Sequence, residues 1–229
     1  QLINKKKIYF YLVSFLFIST FFNHNLIDNL KNTFKIDDIE IQNTKAEIND
    51  IILSNTSFLL GKNIFFINEK FLFEKLNKLN FIESISVVKK YPSTIKIKTR
   101  ETDLIAITYI NQEKYFLGNN GKFIIGKKFK PKKDLPIIFG NFELNDYNLI
   151  TQALKKEGID SNKITKYYFH KSKRWDLFFE DNILVKLPTK KINETLRIYK
   201  TLIKKNKITP YSTIDLRIYN RAVIKNDQK

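Results

Sequence analysis

The stretch from Phe58 to Glu101 constrains the fold more than any other part of the chain. It contains a segment of helical period, Asn68 to Leu79, in which three leucines fall on one stripe: Leu72, Leu76 and Leu79. Two short segments follow, separated by the turn-forming residues 90–93, KYPS. In the second segment apolar and basic residues alternate: Ile95 and Ile97 against Lys96, Lys98 and Arg100. This pattern predicts an antiparallel strand pair with one apolar face and a helix that covers it.

The residues before this stretch add a strand and a helix. Phe34 to Ile41 has the pattern of a strand whose apolar parity changes at Asp37-Asp38, which predicts a bulge there. Thr44 and Glu47 have the spacing of a capping box at the start of a helix with an apolar stripe: Ile48, Ile51 and Ile52. The predicted order from 34 to 101 is strand, helix, helix, strand, strand. We expect an α+β unit with both helices on one face of a small sheet.

The second half of the chain has mostly strand-length patterns. Strands are predicted at 104–110, 115–117, 164–169, 174–179 and 183–187, with Asn119-Asn120-Gly121 forming a tight hairpin turn. A helix is predicted from Asp146 to Glu157, with Gly158 as its C-terminal stop. A second helical stripe follows: Ile192, Leu196, Tyr199 and Ile203. Near the end of the chain, apolar and polar or aromatic residues alternate again: Ile214, Leu216 and Ile218 against Asp215, Arg217 and Tyr219. These patterns predict a mostly antiparallel β domain with flanking helices.

The charge balance points to an anionic neighbour. The chain has 41 Lys and Arg against 23 Asp and Glu, a formal net charge of +18. Nucleic acid, membrane phosphate and an acidic protein all fit this balance. Most basic residues are scattered in pairs, as on solvated faces, and only residues 127–133, KKFKPKK, form a dense basic loop. The chain has no cysteine, which excludes disulfides, thiolate metal sites and a cysteine nucleophile.

The residues that most often carry catalysis are sparse and scattered. His24 and His170 are the only imidazoles, and the six glycines are isolated, which excludes a glycine-rich phosphate loop. Asp176, Glu180 and Asp181 lie near a predicted hairpin end, where acidic residues commonly serve solubility rather than glycosidase chemistry. We therefore expect no enzyme activity, no cofactor and no metal site.

The N-terminus has the pattern of a membrane anchor. Lys5, Lys6 and Lys7 precede an uncharged apolar run, Ile8 to Phe22. Its helix would rise about 22 Å, short of the roughly 30 Å hydrocarbon core, and Leu26 and Ile27 would extend it. The run is not followed by the small residues that signal cleavage, which favours an uncleaved anchor over 8–27 rather than a signal peptide or a buried core helix. The three lysines would hold the N-terminus in the cytoplasm.

Several of these motifs together resemble a known family. The predicted order from 34 to 101, with residues 61–65 (GKNIF), Tyr91-Pro92 and the closing Arg100-Glu101, resembles a POTRA domain. Residues 89–97 (KKYPSTIKI), behind a single anchor, are similar to the FtsQ/DivIB cell division proteins. The second half adds three matching segments: 135–140 (LPIIFG), 175–177 (WDL) and 215–217 (DLR). It departs at Asn120-Gly121, where the family has an Asp-Gly type of turn, and at Pro188, where it has glycine.

The resemblance implies a domain organisation and a location. Residues 1–7 would be a cytoplasmic stub, 8–27 the transmembrane anchor, 28–33 a linker, 34–102 the POTRA domain, 103–225 the FtsQ-type β domain and 226–229 a tail. The protein would be a single-pass inner-membrane protein with its bulk in the periplasm at the division septum. It would serve as a non-enzymatic scaffold in septation, with no nucleic-acid or small-molecule ligand.

The resemblance also implies where partners bind. In the family the last strand of the second domain captures the FtsB partner, in complex with FtsL, by strand addition. Carried onto this chain, that strand is Tyr219 to Lys225, and Tyr219 is the aromatic residue at the partner-contact position. Its neighbours in the candidate site are Arg217, Arg221, Ala222, Val223 and Ile224. The POTRA turn and edge, which help localise the protein, are Tyr91, Pro92, Arg100 and Glu101.

Other readings of the same residues stay open. Tyr219 also fits an ordinary exposed aromatic side chain on a strand. The chain could be another POTRA-containing protein of envelope assembly or secretion, although such proteins carry tandem POTRA units or an amphipathic barrel. An anchored envelope enzyme or polyanion-binding protein is the third hypothesis, and it requires a focused acidic cleft or basic stripe.

Overall fold

The computed structural model describes residues 5–20, 32–42, 46–126, 131, 134–218 and 220–226. The predicted capping residue Thr44, His24, the anchor extension at Leu26 and Ile27, and Tyr219 lie outside the described residues. The predicted basic loop 127–133 also lies outside them, apart from Pro131. The chain divides into two compact units, one formed by residues 1–79 and 84–100 and the other by 80–83 and 101–229.

The N-terminal apolar run forms a helix, α1, at Lys5–Thr20. Its 16 residues rise about 24 Å. Its large apolar side chains are exposed along most of its length, and Phe15 is 70% exposed. Lys5, Lys6 and Lys7 occupy its first turn and are also exposed. In the part of the chain that the structure describes, no helix combines the length and the apolar character needed to cross a membrane.

The first unit has the predicted order of elements. Its elements are β1 (Asp38–Gln42), α2 (Ala46–Thr56), α3 (Glu69–Asn77), β2 (Ile82–Lys90) and β3 (Thr94–Glu101). The sheet order is β1-β3-β2, with β1 parallel to β3. The apolar stripes of both helices and the apolar face of β3 are buried, with Ile52, Leu72, Leu76, Ile95 and Ile97 fully enclosed. The predicted strand-helix-helix-strand-strand unit is therefore confirmed.

Local capping explains where the helix of the opening stretch begins. The Asn68 side chain accepts a hydrogen bond from the Phe71 backbone N–H at 3.2 Å, which satisfies one of the open donors of α3. The helix ends at Asn77, two residues before the predicted Leu79. The expected bulge at Asp37-Asp38 is wrong, because β1 begins at Asp38 and Lys35 instead makes an isolated bridge to Asn63.

The second unit is built on a nine-stranded sheet with the order β12-β11-β10-β9-β8-β7-β4-β5-β6. Its strands are β4 (Leu104–Ile110), β5 (Glu113–Gly118), β6 (Phe123–Ile125), β7 (Ile137–Phe139), β8 (Ile164–Phe169), β9 (Trp175–Phe179), β10 (Leu184–Lys186), β11 (Ser212–Asp215) and β12 (Val223–Asn226). Its helices are α4 (Leu144–Glu157) and α5 (Ile192–Lys204). The predicted mostly antiparallel β domain with flanking helices is confirmed.

Three strand pairs in this sheet are parallel: β4 with β7, β7 with β8, and β10 with β11. Two of them follow from helical crossovers, because α4 joins β7 to β8 and α5 joins β10 to β11. Gly158, at φ +68°, ends α4 as predicted. The left-handed backbone there turns the chain so that the Ile159 N–H donates to the Leu154 carbonyl at 2.9 Å.

Both helices cover one face of this sheet. Leu154 of α4 and Leu196 of α5 belong to the same buried cluster as Leu177, Val185 and Ile214 of the strands. Burial in this cluster raises the pKa of the Tyr147 hydroxyl to about 12. Leu196 and Tyr199 of the predicted α5 stripe are buried, as expected, whereas Ile203 of the same stripe is 45% exposed.

Candidate partner-binding edge

The strand β12 lies at one end of the nine-stranded sheet. It pairs antiparallel with β11 only, with Ser212 opposite Asn226 and Asp215 opposite Val223. Within the described ranges, no strand pairs with its outer side. An edge strand of this kind presents a row of main-chain groups to which an extended peptide can add.

The side chains of β12 divide between the core and solvent. Ile224 lies opposite the buried Ile214 and packs against the core of the unit. Val223 is 48% exposed, and Lys225 and Asn226 are also exposed. The Ser212 hydroxyl donates a hydrogen bond to Asn226 Oδ1 at 3.0 Å. Besides its main-chain pairing with β11, one apolar pair and one side-chain hydrogen bond therefore hold a strand whose other side chains are open to solvent.

The start of the predicted strand is wrong. The last strand was expected from Tyr219, and the structure begins it at Val223. The Arg221 N–H donates to the Ile218 carbonyl at 3.1 Å, and Asn220 has a left-handed φ of +55°. The chain must reverse direction between β11 and β12 to pair antiparallel, so Asn220, Arg221 and Ala222, which directly precede β12, lie in the turn. Arg221 and Ala222 are exposed in it.

The predicted contact residue Arg217 is bound to its own turn. Its Nε donates to Asp215 Oδ1 at 2.9 Å, and its Nη2 donates to Asp215 Oδ2. The Arg217 hydrogen bond lowers the pKa of the Asp215 carboxyl. The intervening Leu216 is buried, and its N–H donates to the Lys186 carbonyl at 3.0 Å. The Asp-Leu-Arg motif thus fixes the end of β11.

A row of charged residues leads across the sheet to this edge. Asp176 on β9 lies opposite Lys186 on β10, Lys186 lies opposite Asp215 on β11, and Asp215 lies opposite Val223 on β12. These residues alternate along their strands with Leu177, Val185 and Ile214, so they occupy the face away from the helices. Opposite charges directly across a sheet stabilise it. The sequence analysis missed this row, because it depends on the register of strands far apart in the chain.

Asp176 is the most buried charge of the row, at 6% exposure. Its Oδ2 lies 2.8 Å from His170 Nε2, and its Oδ1 lies 3.6 Å from Arg174 Nε. The His170 backbone N–H donates to the Arg174 backbone carbonyl at 3.0 Å, which closes the turn between β8 and β9. His170 and Arg174 therefore offset the cost of burying the Asp176 carboxylate, and they join the end of β8 to the start of β9.

The candidate residues of the first unit separate into a turn and a strand end. Tyr91 and Pro92 are exposed between β2 and β3, and the Tyr91 ring stacks on Phe65 at 5.1 Å between centroids. Arg100 and Glu101 lie on β3, the central strand, which corrects their expected place at the sheet edge. The pairing of β1 with β3 ends at Gln42 and Lys98, so both residues lie beyond the end of β1.

Comparison with known families places both units. Residues 34–102 match the family model of the POTRA domain, FtsQ-type. Residues 106–217 match that of the cell division protein FtsQ/DivIB, C-terminal. The two matches together cover most of the chain. The chain belongs to the FtsQ/DivIB family of cell division proteins. The second match ends at Arg217, before β12, so the family assignment does not depend on the candidate edge.

Individual relatives agree with this assignment. The cell division protein FtsQ of Rickettsia conorii is 28% identical over 210 residues, which are 90% of this chain and 78% of the relative. FtsQ of Rickettsia bellii is 28% identical over 193 residues, 83% of this chain and 72% of the relative. The extracytoplasmic domain of DivIB from Geobacillus stearothermophilus aligns at 16% identity over 48% of this chain and 99% of that structure, and its TM-score of 0.30 is too low to inform the fold.

Proposed function

We propose that this FtsQ/DivIB protein is a non-enzymatic scaffold of the division septum that binds FtsB/FtsL-type membrane proteins by strand addition at β12. The observation that supports this most directly is the position of β12 at the end of a nine-stranded sheet, with Val223 half exposed. An added strand would extend the sheet through main-chain hydrogen bonds, and side chains on alternate positions would give selectivity.

The membrane part of the proposal concerns the N-terminus. We propose a single-pass anchor at 8–27, with Lys5, Lys6 and Lys7 in the cytoplasm and the rest of the chain in the periplasm. The exposed apolar side chains of α1 support it, because such a surface is costly in water. The linker at 28–33, the POTRA domain at 34–102, the β domain at 103–225 and the tail at 226–229 are part of the same proposal.

The candidate contacts fall into two groups. Arg221, Ala222, Val223 and Ile224 lie on or just before β12, and we propose that they flank the added strand, together with Tyr219. Arg217 would act indirectly, by holding the turn through Asp215. The POTRA turn at Tyr91 and Pro92, with Arg100 and Glu101, would serve localisation to the septum.

Hydrogen exchange on the full chain in nanodiscs would test strand addition directly. Adding the FtsB-type protein of the same cell should slow exchange of the alternate amides within Val223–Asn226 that point away from β11, because an added strand bonds to the outer side of β12. The variant Val223→Glu should weaken binding by an order of magnitude or more. It should lower the melting temperature only slightly, because position 223 is half exposed although the new carboxylate would lie opposite Asp215. Val88→Glu is a matched control, because Val88 is 47% exposed on the other unit.

Two results would contradict the proposal. Binding without any protection of the β12 amides would mean that the partner docks through side chains elsewhere. Equal binding by wild type, Val223→Glu and Val88→Glu would remove β12 from the interface and would leave the family assignment intact.

A further inference from the structure

The first unit carries an aromatic surface that the proposed function does not use. Phe66 is 87% exposed, and Phe65 and Tyr91 are each more than half exposed. The Phe65 ring lies 4.8 Å from that of Phe34 and 5.1 Å from that of Tyr91, between centroids. We call Phe34, Phe65, Phe66 and Tyr91 the aromatic patch. Contiguous exposed apolar side chains of this size usually mark a contact surface with a protein or a membrane.

A second cluster on the same segment joins aromatic rings to lysines. Phe58 contacts Phe71 edge to face at 6.1 Å. The Lys75 and Lys62 amino groups lie 4.0 Å and 5.2 Å from the centroid of the Phe58 ring. Residues 57–66 therefore present three aromatic rings and the ammonium group of Lys62, and Lys75 of α3 lies against the same Phe58 ring. Tyrosine is enriched at the level of lipid headgroups, and surface-bound segments bury Phe at the boundary between headgroups and acyl chains. Lysines beside them are attracted to anionic lipids.

The covalent path of the chain brings this surface to the proposed anchor. Phe34 is a patch residue, and it directly follows the segment that leads from α1. The Ile64 N–H donates to the Phe34 carbonyl at 2.9 Å, so the point where the chain enters the unit is fixed to the segment that carries Phe65 and Phe66. From Thr20 to Phe34 the chain reaches at most about 50 Å, even when fully extended.

We propose that the aromatic patch lies against the anionic headgroup surface of the membrane that holds α1, and that it orients the first unit there. The proposal rests on the anchor of the proposed function. It goes beyond that function, because it gives the POTRA unit a lipid contact besides its protein partners. A membrane is favoured over a protein as the occupant because the patch adjoins the entry point of the chain and because Lys62 lies on the segment that carries Phe65 and Phe66.

The test places single fluorescent probes on the full chain in nanodiscs. The protein has no cysteine, so each introduced cysteine is labelled uniquely. Leu60→Cys places a probe within the segment at a side chain that is 49% exposed. Val88→Cys is the control, because Val88 is also about half exposed, at 47%. The Lys89 amino group lies 3.6 Å from Glu69 at the start of α3, so Lys89 is on the helix side of β2 and Val88 is on the other side. Phe15→Cys places a probe in α1 and shows whether this helix lies among the lipid chains.

The probes are read by quenching from spin-labelled lipids. In discs of phosphatidylcholine with phosphatidylglycerol, headgroup-labelled lipid should quench the Leu60 probe several-fold more than the Val88 probe. Adding Phe66→Ser should reduce quenching at Leu60 without lowering the melting temperature, because Phe66 makes little contact with the core. Discs of phosphatidylcholine alone should give weaker quenching at Leu60.

The outcomes separate this proposal from the one on which it rests. Quenching at Leu60 no stronger than at Val88, with the Phe15 probe quenched by chain-labelled lipid, would overturn the membrane contact, leave the anchor standing and point to a protein partner for the patch. A Phe15 probe that chain-labelled lipid does not quench would overturn the anchor and the patch proposal together. Equal quenching at Leu60 with and without Phe66→Ser would also overturn the role of the patch.

Discussion

Arg217 donates its guanidinium hydrogen bonds to the carboxylate of Asp215, two residues earlier, with Nε 2.9 Å from Oδ1. The Arg217 backbone N–H also donates to Oδ1, at 3.1 Å. Together these bonds fix the chain where it leaves β11 and turns toward β12. The motif that supported the family resemblance therefore has a structural role in this protein, and any effect of Arg217 on partner binding would pass through the position of β12.

The pH dependence of stability tests this pair. The pKa of Asp215 is lowered in the folded protein by the Arg217 hydrogen bond, so the stabilisation is present above the unfolded carboxyl pKa of about 3.9 and is lost as pH falls through the folded value. We expect Asp215→Asn to lower the melting temperature near neutral pH. The difference from wild type should shrink below about pH 4 and vanish at lower pH. The exposed Asp103→Asn serves as control, and the same deficit in both variants would refute the pairing.

The anchoring of β12 by Ile224 predicts a local effect. Ile224→Ala should remove the contact with Ile214 and raise the exchange rate of the β12 amides about fivefold, since roughly 1 kcal/mol of packing is lost. The global melting temperature should change little, because most of the core lies elsewhere. Val223→Ala, on the other face of the strand, should leave exchange unchanged. A large drop in melting temperature for Ile224→Ala would contradict the local role.

The charged row predicts a cost for neutralising Asp176. Asp176→Asn removes the counter-charge of a buried site near His170, Arg174 and Lys186, and we expect a loss of about 2 kcal/mol in the free energy of unfolding. Urea denaturation at neutral pH gives this value. Glu180→Gln, exposed at the far end of β9, is the matched control. Equal free energies of unfolding for wild type and Asp176→Asn would show that the charge of this carboxylate does not stabilise the fold.

Two glycines predict contrasting costs for alanine. Gly140 has φ +107°, and a Cβ there would overlap the Phe169 carbonyl oxygen, so Gly140→Ala should cost roughly 3 kcal/mol or more. Gly61 has φ +78° with open space around it, so Gly61→Ala should cost only about 1 kcal/mol of backbone strain. Thermal denaturation of the two variants gives the comparison, and similar melting temperatures would contradict it.

Local signals in the sequence determined much of the architecture. The leucine spacing in residues 68–79 predicts α3, the turn at 90–93 predicts the strand pair β2 and β3, and Gly158 predicts the end of α4. Helical periodicity, strand alternation and left-handed turn residues act over a few positions, so a single chain segment carries the whole signal. The same segments, taken in order, also carried the resemblance to the FtsQ/DivIB family.

The candidate site was predictable only in part. The sequence places a strand at the end of the chain, and the structure confirms it while moving its start to Val223. The period of two continues from Ile214 through Ile218, so alternation alone gives no signal that the chain reverses there. The bond from Arg217 to Asp215 and the turn at Ile218 decide the point of reversal.

The order and register of strands were decided by the tertiary structure. The short β7 is inserted between β4 and β8, and Asp176, Lys186, Asp215 and Val223 align across four strands. These relationships join residues far apart in the chain, and each depends on which strand finds a neighbour and in which register. The sequence by itself thus determined the family and most of the elements, but not the short strands β6 and β7, and long-range pairing decided that β12 is one of the two strands left at an edge.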